Sequence, residues 1–190
     1  AVAIRPEGRS KVIARSIDFN KATFRPIKLT GTQPAPKYAF KGAATLVDGM
    51  SGNDNYATSD WIGFIDGDVT AVIDLGSPTG NATAGNTAGL PEIKRVATHA
   101  VVDMSAWIAG CTGLTVSVSD DNKSFREVAS KDFPAETDSR KKAVESYGIT
   151  FEPVKARYVK VLIKRTPALP KGHPGEGRIP FLFIDEIVVE

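Results

Sequence analysis

The chain has 190 residues, 42% apolar and 24% charged, with 24 Lys and Arg against 22 Asp and Glu. That composition supports a packed core and excludes a disordered chain. The net charge of +2 is dispersed, which excludes a nucleic-acid or polybasic membrane surface, and no apolar run is long enough to cross a bilayer as a helix.

Helical periodicity is nearly absent. Short runs of β-branched and aromatic residues alternate with polar ones between Gly, Pro, Asn and Asp punctuation, the pattern of strands and turns. The chain opens directly in strand-like Ala1-Val-Ala-Ile4 with no signal peptide, so it reads as a piece whose targeting signal lay elsewhere. Strands are expected at residues 11–19 and 23–29, too few to bury a core by themselves. Thr30-Gly-Thr-Gln-Pro-Ala-Pro36 follows, stiffened by Pro and without an apolar anchor, as a linker would be. The expected organisation is residues 30–37 as a linker and residues 38–190 as the main module, with residues 1–29 either pairing onto that module or, as the resemblance described below implies, forming the last strands of a preceding small β-domain. Within that module, strands are expected at 70–75, 93–102, 114–119, 157–164 and 181–189. In 114–119, Leu114, Val116 and Val118 share one face and Thr115 and Ser117 the other. Residues 76–90, rich in Gly, Ala, Thr and Asn, read as a surface insertion. Residues 166–180 carry four prolines with His173, Glu176 and Arg178, an ordered excursion before the last strand. The fold class is all-β, an antiparallel sandwich of jelly-roll type.

Cys111 is the single cysteine, so no internal disulfide or thiolate metal site exists, and between Gly110 and Thr112 it reads as a small packed side chain. The two histidines, His99 and His173, come with no Gly-x-Ser-x-Gly elbow, phosphate loop or histidine zinc motif. No signature of an enzyme is present in the chain.

Several segments carry a resemblance. Leu46-Val-Asp-Gly49 with Asn55-Tyr56, Trp61-Ile-Gly-Phe64 and Val72-Ile-Asp-Leu-Gly76 resembles the opening of a discoidin domain, the coagulation-factor type C fold that includes the family 32 carbohydrate-binding modules. Residues 114–125, Ala156-Arg-Tyr-Val-Lys-Val161 and Phe183-Ile-Asp-Glu-Ile187 resemble later strands of the same family, in its order. The run His173-Pro-Gly-Glu-Gly177 and the strand after it are similar to the ending of secreted Bacteroidetes β-N-acetylhexosaminidases (chitobiases) of glycoside hydrolase family 20. Gly8-Arg-Ser10 and residues 21–27 resemble the small β-domain that precedes the module there.

The resemblance implies a discoidin-like β-sandwich whose Asp48 and Glu186, with backbone carbonyls of the first loop, hold a structural calcium. Calcium takes six to eight hard oxygens, and carbonyls of a loop beside two carboxylates are oxygens of that kind. Sugar binding requires an apolar aromatic face with fixed polar groups around it, and Tyr56 with Asn55 and Asp60, Trp107, and His173 with Arg178 are the candidates. Trp61 is expected in the core, Trp107 either in the core or exposed, and His173 as a loop brace as much as a ligand contact. The expected function is a non-catalytic module that holds a secreted hydrolase, periplasmic or extracellular, on glycans ending in Gal, GalNAc or GlcNAc. Its partner in the same polypeptide is the catalytic domain. The competing reading is a structural module that packs on a neighbouring domain and binds no sugar.

Overall fold

The computed structural model describes residues 16–76 and 89–190, with the backbone of two short paired strands, β1 (Ile4–Arg5) and β2 (Gly8–Arg9). Nine further strands follow: β3 (Ile27–Gly31), β4 (Ile62–Phe64), β5 (Val69–Asp74), β6 (Glu92–Asp103), β7 (Cys111–Ser119), β8 (Arg126–Asp132), β9 (Lys142–Lys155), β10 (Tyr158–Arg165) and β11 (Leu182–Val189). They form two antiparallel sheets, ordered β3-β5-β10-β7-β8 and β4-β11-β6-β9. The alternation in Val69, Ala71 and Ile73, in Leu114, Val116 and Val118, and in Val159, Val161 and Ile163 turns one face of the five-stranded sheet inward. There it meets Val96, Ala100, Leu182, Ile184 and Val189 of the other sheet, and the two inner faces make the main core.

β11 is buried on both faces. Leu182 and Ile184 point into the sandwich, while Phe183 points outward beneath a second cluster built from Trp61, Val101 and Ile108, with Tyr38, Tyr56 and Phe181 against it. The first loop, residues 36–61, is what covers this outer face. Trp61 is fully buried there, its indole N–H donating to the Asn53 carbonyl at 2.9 Å, as expected for a core tryptophan. A third, small cluster of Val102, Met104, Ala109 and Leu169 seats the 166–180 loop.

The expected domain boundary is corrected by the strand pairing. β3 is not the end of a separate domain: it pairs residue for residue with β5, from Ile27 opposite Ile73 to Gly31 opposite Val69, and Ile27 and Leu29 pack on the main core. Thr30 and Gly31, expected in a linker, are ladder residues. The chain is attached still earlier, since Ala22 is fully buried and the Lys21 N–H donates to the Val189 carbonyl. The sandwich therefore includes residues from about Asp18, whose N–H reaches the Gly49 carbonyl. What residues 1–15 pack against lies outside the described residues, as does most of the 76–90 insertion.

Three strands of the sandwich were not expected, the short β4 and the longer β8 and β9. β8 is polar and half exposed, an edge strand whose pairing with β7 comes from backbone bonds rather than apolar alternation. β9 runs for 14 residues along β6 but buries only Tyr147 and Ile149 deeply, and its Gly148 and Pro153 read as breakers. Pro153 falls where the register shifts, between Ile93 opposite Val154 and Arg95 opposite Thr150, so the ladder loops out around the residue that has no N–H.

Candidate functional site

Two places gather the polar residues singled out from the sequence. The first is the loop that follows β6. Asp103 caps it, its Oδ1 accepting from the Ser105 hydroxyl at 2.7 Å and the Ala106 N–H at 3.2 Å. The next residue but three, Trp107, closes the turn with φ 62° and ψ 38°. A left-handed conformation costs a β-carbon-bearing residue about 1–2 kcal/mol, and a tryptophan kept there is held by its surroundings. The Trp107 N–H donates to the Met104 carbonyl and its own carbonyl accepts from Phe181. Gly175 lies directly beneath the indole: a β-carbon on it would sit 2.8 Å from Trp107 Cε2. Despite this bracing, Trp107 is 41% exposed.

The 166–180 loop supplies the other wall. Its neck is tied by Leu169 N–H to the Arg178 carbonyl and by Gly177 N–H to the Leu169 carbonyl, and Leu169 is buried. His173 is 5% exposed and sits behind the platform, edge-on to the Trp107 ring at 6.4 Å. Its Nδ1 accepts the Gly175 N–H at 2.9 Å, which assigns the ring proton to Nε2, and that nitrogen donates to the Met104 carbonyl at 2.8 Å. Arg178 emerges beside the tryptophan, exposed, and its guanidinium has no hydrogen-bond or ion-pair partner among the described residues. Trp107, Arg178, Ile179, Phe181 and Ile65 line one open depression of about 580 Å³.

The structure brings Trp107, His173 and Arg178 together, while Tyr56, Asn55 and Asp60 belong to the first loop and do not line their depression. The Tyr56 ring is half buried against Phe183 at 5.1 Å and Tyr38 at 6.3 Å, part of the cover on the outer sheet face and not a platform. Asn55 shapes its own turn, its side-chain oxygen accepting the Ala57 N–H, and Asp60 is buried. His173 is a brace rather than a contact residue. Sequence reasoning missed Ile179 and Phe181. Ile179, 49% exposed between Arg178 and Pro180, was visible as an apolar residue stranded in a Pro-rich loop.

The second place is the first loop against the middle of β11. Between Ile184 and Ile187, three steps of β11 oppose two of β6, a bulge after which Asp185 and Glu186 both reach the same loop. Asp185, fully buried, accepts the Gly52 N–H at 2.8 Å, and its other oxygen lies 3.2 Å from His99 Nδ1 in an ion pair that is not well aligned as a hydrogen bond. Pairing with Asp185 raises the His99 pKa, outweighing burial. Glu186 accepts the Gly49 N–H at 3.0 Å and the Asn20 side-chain N–H at 3.2 Å. Burial pushes its carboxyl up to about 8, helped by the charges of Asp48 and Asp185. Asp48 accepts the Met50 N–H and holds the Lys41 ammonium.

This donor set does not fit the calcium that Asp48 and Glu186 are expected to bind. All four carboxylate oxygens of the pair already face nitrogen donors, and the loop turns the N–H groups of Gly49, Met50 and Gly52 toward the acids. The Gly49 carbonyl, which would have to turn inward, accepts from Asp18. Among the described residues no group of three or more His, Cys, Asp or Glu is gathered as a metal cage. Cys111 is buried and its thiol pKa is raised by burial, as suits a packed side chain and not a nucleophile.

No family model matches the sequence, and no curated protein matches it. Solved structures do. The chain is similar to chitosan-binding module 1 from the chitosanase/glucanase of Paenibacillus sp. IK-5, with 16% identity over 90% of this chain and 98% of that one and a TM-score of 0.52. It is similar to a family 32 carbohydrate-binding module from a family 31 glycoside hydrolase of Clostridium perfringens, at 14% identity over 90% and 92% with a TM-score of 0.51. A pectin-binding carbohydrate-binding module matches at 14% identity over 89% and 91%, with a TM-score of 0.50. At such identities the likeness shows the fold, and the fold is the discoidin-like antiparallel β-sandwich.

Proposed function

We propose that this chain is a non-catalytic carbohydrate-binding module whose contact surface is the Trp107–Arg178 depression. The observation that carries the reading is an indole held in a strained conformation, packed from behind by Gly175 and His173, yet left open to solvent. Strain kept at an exposed aromatic is spent on presenting its face, and a flat apolar face is what the C–H side of a pyranose stacks on. The solved structures of the same fold that are themselves sugar-binding modules agree with this use of the fold. Among the described residues no helix is long and apolar enough to cross a membrane.

The module works by raising the effective concentration of an attached hydrolase at its substrate. The resemblance of residues 173–187 to the ending of secreted family 20 β-N-acetylhexosaminidases makes such an enzyme the proposed host, with glycans ending in Gal, GalNAc or GlcNAc in its surroundings. One stacked sugar yields roughly 4–6 kcal/mol after association costs, which places affinity between about millimolar and tens of micromolar. A glycan array followed by titration of the best ligand tests the reading. Trp107→Ala is expected to lower affinity at least about tenfold and to cost roughly 1–3 kcal/mol of stability for the half-buried ring, with the cooperative melt retained. Binding that survives Trp107→Ala, or an array with no ligand, overturns it.

A structural role is favoured by a different patch. Phe19 and Phe24, 75% and 62% exposed, meet edge to face at 6.0 Å beside Ile17, itself 41% exposed. Phe19 shares a depression with Val188 and Glu190 at the end of β11, whereas Phe181 of the glycan surface stands at its beginning. An interface with a neighbouring domain at one end of β11 is thus compatible with a sugar at the other.

A further inference from the structure

We infer that the Trp107 surface selects a pyranose that carries a carboxylate, a uronic acid or a sialic acid, over the neutral sugars it would also stack on. The inference rests on the glycan reading of that surface. A neutral sugar brings hydroxyl groups, and each hydroxyl is both donor and acceptor. Sites that hold neutral sugars tightly therefore pair side-chain donors with side-chain acceptors. This lining has no side-chain acceptor. Beside Trp107 and Arg178 it consists of Ile65, Ala106, Ile179, Phe181 and one glycine. The indole is donor-only and the guanidinium is donor-only.

Several of the backbone carbonyls around the depression are already engaged. The carbonyls of Trp107, Arg178 and Gly175 accept from Phe181, Leu169 and Arg178 respectively. The carboxylate nearest in sequence, Glu176, does not line the depression and accepts the Gly172 N–H at 2.8 Å with one oxygen. A sugar hydroxyl hydrogen entering here meets no side-chain acceptor and is left to backbone carbonyls or water, which gives it no gain over solution. A carboxylate is the opposite case. It only accepts, and the planar fork of Arg178 offers two parallel donors to it, a geometry that is charge-assisted and strong. Arg178 is also free to respond, since it has no carboxylate partner among the described residues and lies on an apolar background where its charge is little compensated.

Isothermal titration of the full 190-residue chain with trigalacturonate, its methyl ester, sialyllactose and galactotriose tests this. At least one of the two carboxylated ligands is expected to bind about tenfold or more tighter than galactotriose, the size of effect that one charge-assisted bidentate contact supplies. If trigalacturonate is that ligand, its methyl ester falls to the level of galactotriose. Arg178→Gln is expected to erase the preference and leave weak stacking, and Arg178→Lys to retain only part of it. A thermal melt of each variant checks that the exposed substitution leaves the fold intact. Equal or tighter binding of galactotriose, or a carboxylate preference that survives Arg178→Gln, overturns the inference while Trp107-dependent binding preserves the glycan reading. Binding of carboxylated sugars that survives Trp107→Ala overturns both.

Discussion

Two loop systems lean on β11, and they treat their polar groups in opposite ways. At Asp48, Asp185 and Glu186 the acids are turned inward and matched to the chain's own donors: three loop N–H groups, Asn20, Lys41 and His99. At Trp107 and Arg178 the exposed ring and guanidinium have no such match among the described residues, and the matched group, His173, lies behind them. The first system has the richer chemistry by residue type and the second has the open valences. A cluster of carboxylates marks a structural joint when its lone pairs are filled from within, and a site is better sought where a rigid frame leaves groups unfilled.

The largest effect separating the two ends is expected from Asp185→Ala. It strips a partner from the Gly52 N–H and from His99, at a cost of about 1–3 kcal/mol, reduced somewhat because Glu186 loses a repelling neighbour. Glycan affinity should not change. The substitution should also alter the pH profile. His99 has its pKa raised in the folded protein by Asp185, so the pair contributes stability that is full below the ordinary histidine value near 6.5 and is lost as pH rises through the folded value. Urea unfolding between pH 5 and 9 should show a steeper decline in the parent chain than in the variant, where the buried Glu186 carboxyl alone still loses stability as pH rises. A loss of sugar binding in Asp185→Ala would break the separation of joint from site.

A smaller effect is expected at His173, where the two ends of the comparison meet in one residue, matched internally yet supporting the open surface. His173→Ala removes two buried hydrogen bonds, at about 1–2 kcal/mol, and lets the Gly175 backbone drift from beneath the indole. Sugar affinity should fall severalfold with it. His173→Asn, whose side-chain oxygen can stand where Nδ1 stood, should recover part of both losses. An unchanged affinity in the alanine variant would show that Trp107 keeps its pose without the brace.

How far the sequence carried the reading depends on which force placed each residue. The inner strands were legible because burial of alternate side chains writes a period of two into β5, β7 and β10. β3 was misplaced because an edge strand is held by backbone bonds to β5, to which Thr30 and Gly31 contribute without any apolar signal. Trp107 and Arg178 were legible as loop residues of the right type. Tyr56 looked equivalent to Trp107 and is not, since the difference is the ring of Phe183 beneath it, which only the pairing of β11 with β4 brings near. The inward turn of loop N–H groups at Gly49 and Gly52 has no sequence signal at all, and it is what separates this joint from a calcium cage.

The smallest expected effect is a null one, and it tests the joint directly. Calcium bound only to the native state would stabilise it by mass action, so a millimolar ion at a site with micromolar affinity would add roughly 4 kcal/mol and raise the melting temperature by several degrees. Here the ion would have to displace Lys41 from Asp48, take the proton from a Glu186 whose pKa burial has raised to about 8, and turn the Gly49 carbonyl from Asp18. Melting in chelator and in millimolar calcium is therefore expected to coincide. Lys41→Ala sharpens the point, because an exposed ion pair is worth under about 1 kcal/mol, yet its loss uncovers one Asp48 oxygen. If Lys41 is the cation that this loop uses in place of a metal, the variant should become slightly responsive to calcium while the parent stays inert. A parent chain whose melting temperature climbs with calcium, and loses that response in Asp48→Ala, would return Asp48 and Glu186 to the role of ligands.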